Sequence, residues 1–102
     1  MTREFRLTPP AIEDLKSIAD HFADSSDLDS ADRFLKKVDK KLSLITQFPN
    51  LGKSRPEVLP SLRSLSLDSY LILYTVSDQY VEILRVVSGY RDLQALFDDS
   101  DN

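Results

Sequence analysis

The stretch LPSLRSLSLDSYLILYTVSDQYVEILRVVSGYRDL, residues 59–93, decides the fold. It holds three apolar runs, Leu62–Leu67, Tyr70–Val76 and Tyr80–Val87, separated by Asp68-Ser69 and by residues 77–79. Short runs rich in β-branched and aromatic residues, bounded by small polar ones, predict an antiparallel meander. The second and third runs are apolar at nearly every position, so both faces of those strands are expected to be covered. Arg63, Arg85 and Arg91 interrupt the pattern. An Arg on a strand covered from both sides needs a partner or a job.

Upstream of the meander, Arg3–Leu7 reads as a short edge strand, with Phe5 and Leu7 in one phase and Glu4 and Arg6 in the other. Thr8 is placed to cap a helix, and Pro9-Pro10 suit its first turn, where a missing N–H has no partner to lose. Ala11, Leu15, Ile18 and Phe22, widened by Ile12 and Ala19, form one apolar face of a helix from Ala11 to about Ala23. After the polar turn 24–29, Asp29 or Ser30 is expected to cap a second helix. Ala31, Phe34, Leu35, Val38, Leu42 and Ile45 repeat at helical spacing to about Gln47. Lys36, Lys37, Lys40 and Lys41 lie off that stripe; they form either a basic patch or a solvated face offset by Asp32 and Asp39. Phe48-Pro49-Asn50-Leu51-Gly52 stops the helix, residues 53–60 read as a loop, and Arg91–Phe97 as one or two helical turns. The fold class is α+β: an N-terminal strand, a helical hairpin packed on a small antiparallel sheet, and a short C-terminal helix.

At 102 residues and 41% hydrophobic content, the chain has room for one domain, residues 1–97. The tail Asp98-Asp99-Ser100-Asp101-Asn102 is expected to fray. The net charge is −4, and three of the acids lie in that tail, so the body is near neutral. A broad nucleic-acid surface is therefore not expected, nor direct nucleic-acid binding except through a partner complex. No run of about 20 apolar residues exists to span a bilayer, the charged start is not a signal peptide, and there is no cysteine; a cytoplasmic location is expected.

The chemistry open to these residues is narrow. His21 is the single histidine and is read as a helix-surface residue, so no metal site is expected. Gly52 and Gly89 are the two glycines and make no phosphate-cradling loop, so no cofactor is expected. What remains is an Arg/Tyr set in which arginine could stabilise a transferring phosphate. A ribonuclease would also need a base and an acid, and arginine is neither. The alternative reading is structural: Tyr70 and Tyr74 share a phase with Ile72 and could be core aromatics, while Arg85 could pair with Asp92 or Glu82.

The ordered set Ala11, Asp14-Leu15 and Ile18, then Phe48-Pro49 with Gly52 and Arg55-Pro56-Glu57, Leu62-Arg63, Tyr70-Leu71-Ile72-Leu73-Tyr74, and Arg85-Val86-Val87-Ser88-Gly89-Tyr90-Arg91-Asp92-Leu93 resembles the RelE/ParE superfamily of type II toxin–antitoxin toxins. The match runs from about Phe5 to Phe97. The RelE branch implies a ribosome-dependent mRNA endonuclease, for which Arg91 would be the catalytic residue. Against that branch, Leu71 stands where an arginine is expected and Phe97 where a tyrosine is, and the expected lysines of the preceding strand are absent. The chain is more similar to the ParE branch, which implies inhibition of DNA gyrase by binding rather than by an enzymatic step. Ser88 stands where that branch often has histidine. The implied contact surface for target or antitoxin comprises Arg63, Tyr74, Arg85, Arg91 and Phe97. The implied partner is a cognate antitoxin whose disordered tail wraps the toxin, adding a strand to the sheet edge and a helix beside the hairpin. A non-toxic binding module is the remaining alternative.

Overall fold

The computed structural model describes residues 4–98; the expected strand start at Arg3 and residues 99–102 of the expected tail lie outside the described residues, while Asp98, expected to begin that tail, instead ends the last helix. The chain runs β1 (Glu4–Leu7), α1 (Pro9–Ser25), α2 (Leu28–Gln47), β2 (Lys53–Ser54), β3 (Arg63–Leu67), β4 (Tyr70–Val76), β5 (Tyr80–Ser88) and α3 (Leu93–Asp98). The strands form one sheet in the order β1-β5-β4-β3-β2. The β3–β4–β5 meander is antiparallel as expected, and β1 lies parallel to β5 at one edge.

Local chemistry explains the helix ends. The Thr8 Oγ1 accepts a hydrogen bond from the Ala11 N–H at 3.2 Å, and the two prolines take the first helical positions, so α1 starts at Pro9 rather than Ala11. The cap of α2 is Asp27, not Asp29 or Ser30: its carboxylate accepts the Ser30 N–H at 2.7 Å. That bond holds the Asp27 pKa below its usual value. Residues 53–60 are not wholly a loop, because Lys53 and Ser54 pair with Ser64 and Arg63 as the two-residue strand β2. Two residues are too few to leave a periodicity.

Both faces of the sheet are covered, as the unbroken apolar runs imply. On one face α1 and α2 pack Ala11, Ile18, Phe34, Val38 and Ile45 against Ile72, Tyr74, Val81 and Ile83. Phe22, Phe34 and Tyr70 stack there in an aromatic cluster with ring centroids 5.1–6.4 Å apart. On the other face Leu62, Leu73 and Val87 form a smaller core, closed by Leu93 and Leu96 of α3 and by Val58 and Leu59 of the preceding loop. The pairing of β4 with β5 shifts between Leu73, opposite Arg85, and Tyr74, opposite Ile83. Leu84 is the extra residue of this bulge.

Candidate functional site

The five residues expected on one contact surface fall into three separate places. Arg63 pairs across the ladder with Tyr74, and Arg85 pairs with Leu73. Leu73 and Tyr74 are successive residues of β4, so their side chains leave opposite faces of the sheet. The arginines of β3 and β5 therefore do not form one docking face. The bulge at Leu84 sets the phase of β5, and no sequence period announces it.

Arg63 and Tyr74 both fasten the loop after α2. The Tyr74 hydroxyl donates to the Pro49 carbonyl at 2.8 Å and accepts the Gly52 N–H at 2.8 Å. One Arg63 nitrogen donates to the Gly52 carbonyl at 2.7 Å and to the Asn50 carbonyl at 3.3 Å. Tyr74 is 0% exposed, so it offers no surface to a partner in this state; its expected contact role is replaced by an internal one. Burial pushes its phenol pKa up, and the Gly52 bond and the Arg63 charge oppose that shift. Gly52 is required by close approach. A Cβ there would lie 2.5 Å from the Tyr74 oxygen and 2.9 Å from the Ser64 carbonyl.

Arg85 is committed to Asp14 of α1, not to Asp92 or Glu82. Its Nε and one terminal nitrogen donate to the two carboxylate oxygens at 2.7 and 2.9 Å, and the Val86 N–H donates to the same carboxylate at 2.9 Å. The hydrogen bond to Asp14 raises the Arg85 pKa further. Thr8 completes this junction: its hydroxyl donates to the Leu84 carbonyl at 2.9 Å and its N–H to the Ile83 carbonyl at 3.1 Å. Arg85 and Phe97 do come together, lining a cleft of about 350 Å³ with Thr8, Pro10, Leu84 and Leu96.

Arg91 stands apart. It follows Gly89 in the exposed turn after β5, beside Tyr90, which is 93% exposed. Among the described residues no carboxylate, lysine or tyrosine hydrogen-bonds or ion-pairs with the Arg91 guanidinium. His21 is exposed on α1, and the described residues hold no group of three or more side chains arranged to take a metal ion. No helix among them is long and apolar enough to cross a membrane.

Two features escaped the sequence reading. Asp14 lies between Ala11 and Ile18 at i+3 and i+4, inside the apolar stripe of α1, and that misplaced acid was the available signal for its partner. The second is a groove of about 360 Å³ on the far side of the hairpin, lined by Leu7, Ile12, Leu15, Ala19 and Leu35, with Lys16 and Asp20 at its rim. It runs beside β1, whose outer edge has no strand against it among the described residues. Ile12 and Leu35 are apolar residues left about two-fifths exposed there, a cue that appears only once the helices are packed.

A family model described as the ParE toxin of the type II toxin–antitoxin system parDE matches residues 5–93. Among curated proteins, the chain is similar to Toxin ParE3 of Caulobacter vibrioides, at 27% identity over 88 residues, covering 86% of this chain and 88% of that one. It is also similar to Toxin ParE1 of Mycobacterium tuberculosis, at 26% identity over 94 residues, covering 91% and 96%. Two solved structures share the fold. A chain of the chromosomal ParDE system from P. aeruginosa superposes with a TM-score of 0.73 at 24% identity, covering 85% of this chain and 96% of that one. The YoeB dimer from Staphylococcus aureus gives 0.64 at 22% identity, covering 88% and 100%.

Proposed function

This chain belongs to the ParE toxin family of type II toxin–antitoxin systems, and on that premise we propose that it inhibits DNA gyrase by binding and is neutralised by a cognate antitoxin. The observation that carries the binding reading is the isolation of Arg91. Arg63 and Arg85 are engaged in holding the fold, whereas among the described residues the exposed Tyr90 and Arg91 are tied to Ser88 through their backbone N–H groups and their side chains have no hydrogen-bond or ion-pair partner. An exposed Tyr–Arg pair is suited to anchor a protein interface, where both residue types are enriched. It lacks the bonded base and acid that in-line attack by a 2′-hydroxyl needs. The smaller core, closed by α3, supports the same reading by filling the outer face of the sheet with apolar side chains. Gyrase works in the cytoplasm, and that is the compartment proposed for this chain.

The groove beside β1 is the proposed antitoxin site. Its apolar floor suits one face of an amphipathic helix, and the free edge of β1 can take an added strand. A disordered tail using both would order on binding and add stability to the toxin.

The test is a gyrase supercoiling reaction with the purified chain, alone and after preincubation with the product of the adjacent reading frame. The proposal expects inhibition with accumulation of cleaved DNA, relieved by the antitoxin. Unchanged supercoiling together with cut messages in translating cells would replace gyrase by mRNA as the target.

A further inference from the structure

Arg91 is placed by its backbone, not by its side chain. The segment between β5 and α3 that carries it is fastened at three points. At the strand end, the Gly89 N–H donates to the Ser69 carbonyl in the turn between β3 and β4 at 2.8 Å. A Cβ on Gly89 would lie 3.2 Å from that same oxygen, so the chain passes close against the turn. Ser88 then takes two amides: its carbonyl accepts the Arg91 N–H at 3.1 Å, and its Oγ accepts the Tyr90 N–H at 3.3 Å. Asp92 closes the far end. Its Oδ1 accepts the Gln94 N–H at 3.1 Å and the Ala95 N–H at 3.4 Å, the bonds of a helix N-cap.

The helix so capped has six residues, too few to hold together by itself. Leu93 and Leu96 pack it on the smaller core of Leu62, Leu73 and Val87, and the Gln94 side-chain nitrogen donates to the Glu57 carbonyl at 3.0 Å. The cap is therefore a large share of what keeps its first turn formed. Asp92 is also the acid next in sequence to Arg91, yet its carboxylate bonds the helix amides and not the guanidinium. The guanidinium stays open to a partner while the carboxylate steadies the backbone beside it. A docking side chain whose position is set in advance loses less freedom on binding than one that is ordered by contact.

On the reading of Arg91 as the docking residue, we propose that Asp92 is its positioning residue. By capping α3, Asp92 anchors the far end of the turn and fixes where Tyr90 and Arg91 stand, without itself touching the target; Ser88 holds the same turn from the strand side. The role requires a side-chain oxygen that can accept helix amides, and it does not require a negative charge. Asparagine keeps that acceptor and alanine lacks it, so the two substitutions separate a cap from a charge contact.

The experiment compares Asp92→Ala, Asp92→Asn, Arg91→Ala and Arg91→Ala/Asp92→Ala with wild type in the gyrase supercoiling reaction, well below the melting temperature of each. Asp92→Ala is expected to raise the half-inhibiting concentration about three- to tenfold, and Asp92→Asn to stay within about twofold of wild type. In the Arg91→Ala background, Asp92→Ala should add less than about twofold, because its effect passes through Arg91. Backbone amide relaxation gives a readout that does not depend on gyrase. The Tyr90 and Arg91 amides should be as ordered as those of β5 in wild type and in Asp92→Asn, and mobile in Asp92→Ala. Equal losses of inhibition in Asp92→Asn and Asp92→Ala would make the carboxylate a direct charge contact and overturn the proposal. So would unchanged inhibition by Asp92→Ala, a turn already mobile in wild type, or one that stays ordered in Asp92→Ala. If wild type leaves gyrase untouched, the gyrase reading falls, and the relaxation result alone then upholds or overturns the pinning of the turn.

Discussion

Asp14 of α1 and Arg85 of β5, 71 residues apart, lock together through two hydrogen bonds of 2.7 and 2.9 Å, and the same carboxylate caps the Val86 N–H. The acid therefore holds both a side chain and the backbone next to the Leu84 bulge. It fixes α1 against the sheet at the point where the phase of β5 changes. The pair is largely shielded from water, so removing one partner strands the other charge. Asp14→Ala is expected to cost about 2–4 kcal/mol, read as a drop of about 10 °C or more in melting temperature. Replacing both partners by apolar residues should cost less than the single change. A double-mutant cycle by thermal melts checks it.

Gly52 has no room for a methyl group, since a Cβ would press on the Tyr74 oxygen and the Ser64 carbonyl. Gly52→Ala should destabilise by about 2–3 kcal/mol through loss of the bonds to Tyr74 and overpacking of the loop. Denaturant unfolding with an unchanged slope would give the value.

Tyr74 sets an alkaline limit. Its folded pKa is raised above the ordinary 10.0, chiefly by burial. The unfolded chain therefore ionises first as pH rises, so the native state binds more protons in that window. The resulting stability is complete below pH 10 and is lost as pH climbs toward the folded pKa. Tyr74→Phe should flatten this limb between about pH 9 and 11, while costing about 1–2 kcal/mol at pH 7 by leaving the Gly52 N–H and Pro49 carbonyl unpaired. Melting temperature against pH for both proteins tests the crossing.

Ser61 and Asp68 hold positive φ, 67° and 54°. Ser61→Gly should stabilise by about 0.5–1 kcal/mol, because glycine adopts that conformation without steric cost. Asp68→Gly gains the same relief but gives up the exposed bond to Lys37, which is worth little, so it should also be mildly stabilising. Thermal melts of the two single variants give both values.

In the groove proposed to take the antitoxin, Ile12→Glu or Leu35→Glu places a charge on an exposed apolar floor without opening the core. Each should weaken antitoxin binding by about a hundredfold, with the chain's own melting temperature within about 2 °C of wild type. Calorimetric titration with the antitoxin tail measures it.

The element order was legible because the apolar patterning is strong and because β4 and β5 are bounded by turn residues. Tyr70–Val76 emerges with its ends as read, and Ala11 through Ile45 place the two helices on the sheet. The core reading of Tyr74 was available from its phase with Ile72. The arrangement of the arginines was not. Their faces depend on one extra residue at Leu84 and on an acid, Asp14, that a helical wheel places toward the core but cannot match to its partner. The α2 cap moved to Asp27 because several acids and serines in a row offer equivalent caps, and packing chooses among them. The groove beside β1 is a property of assembled elements, so no local pattern carries it.

The most direct test of Arg91 as a docking residue is the concentration of toxin that half-inhibits gyrase supercoiling, compared between wild type and Arg91→Ala. The side chain is exposed and without a partner among the described residues, so the variant should melt within about 1 °C of wild type. Inhibition should nevertheless weaken at least about tenfold, and further in Tyr90→Ala/Arg91→Ala. Full inhibition by a correctly folded Tyr90→Ala/Arg91→Ala protein would contradict it.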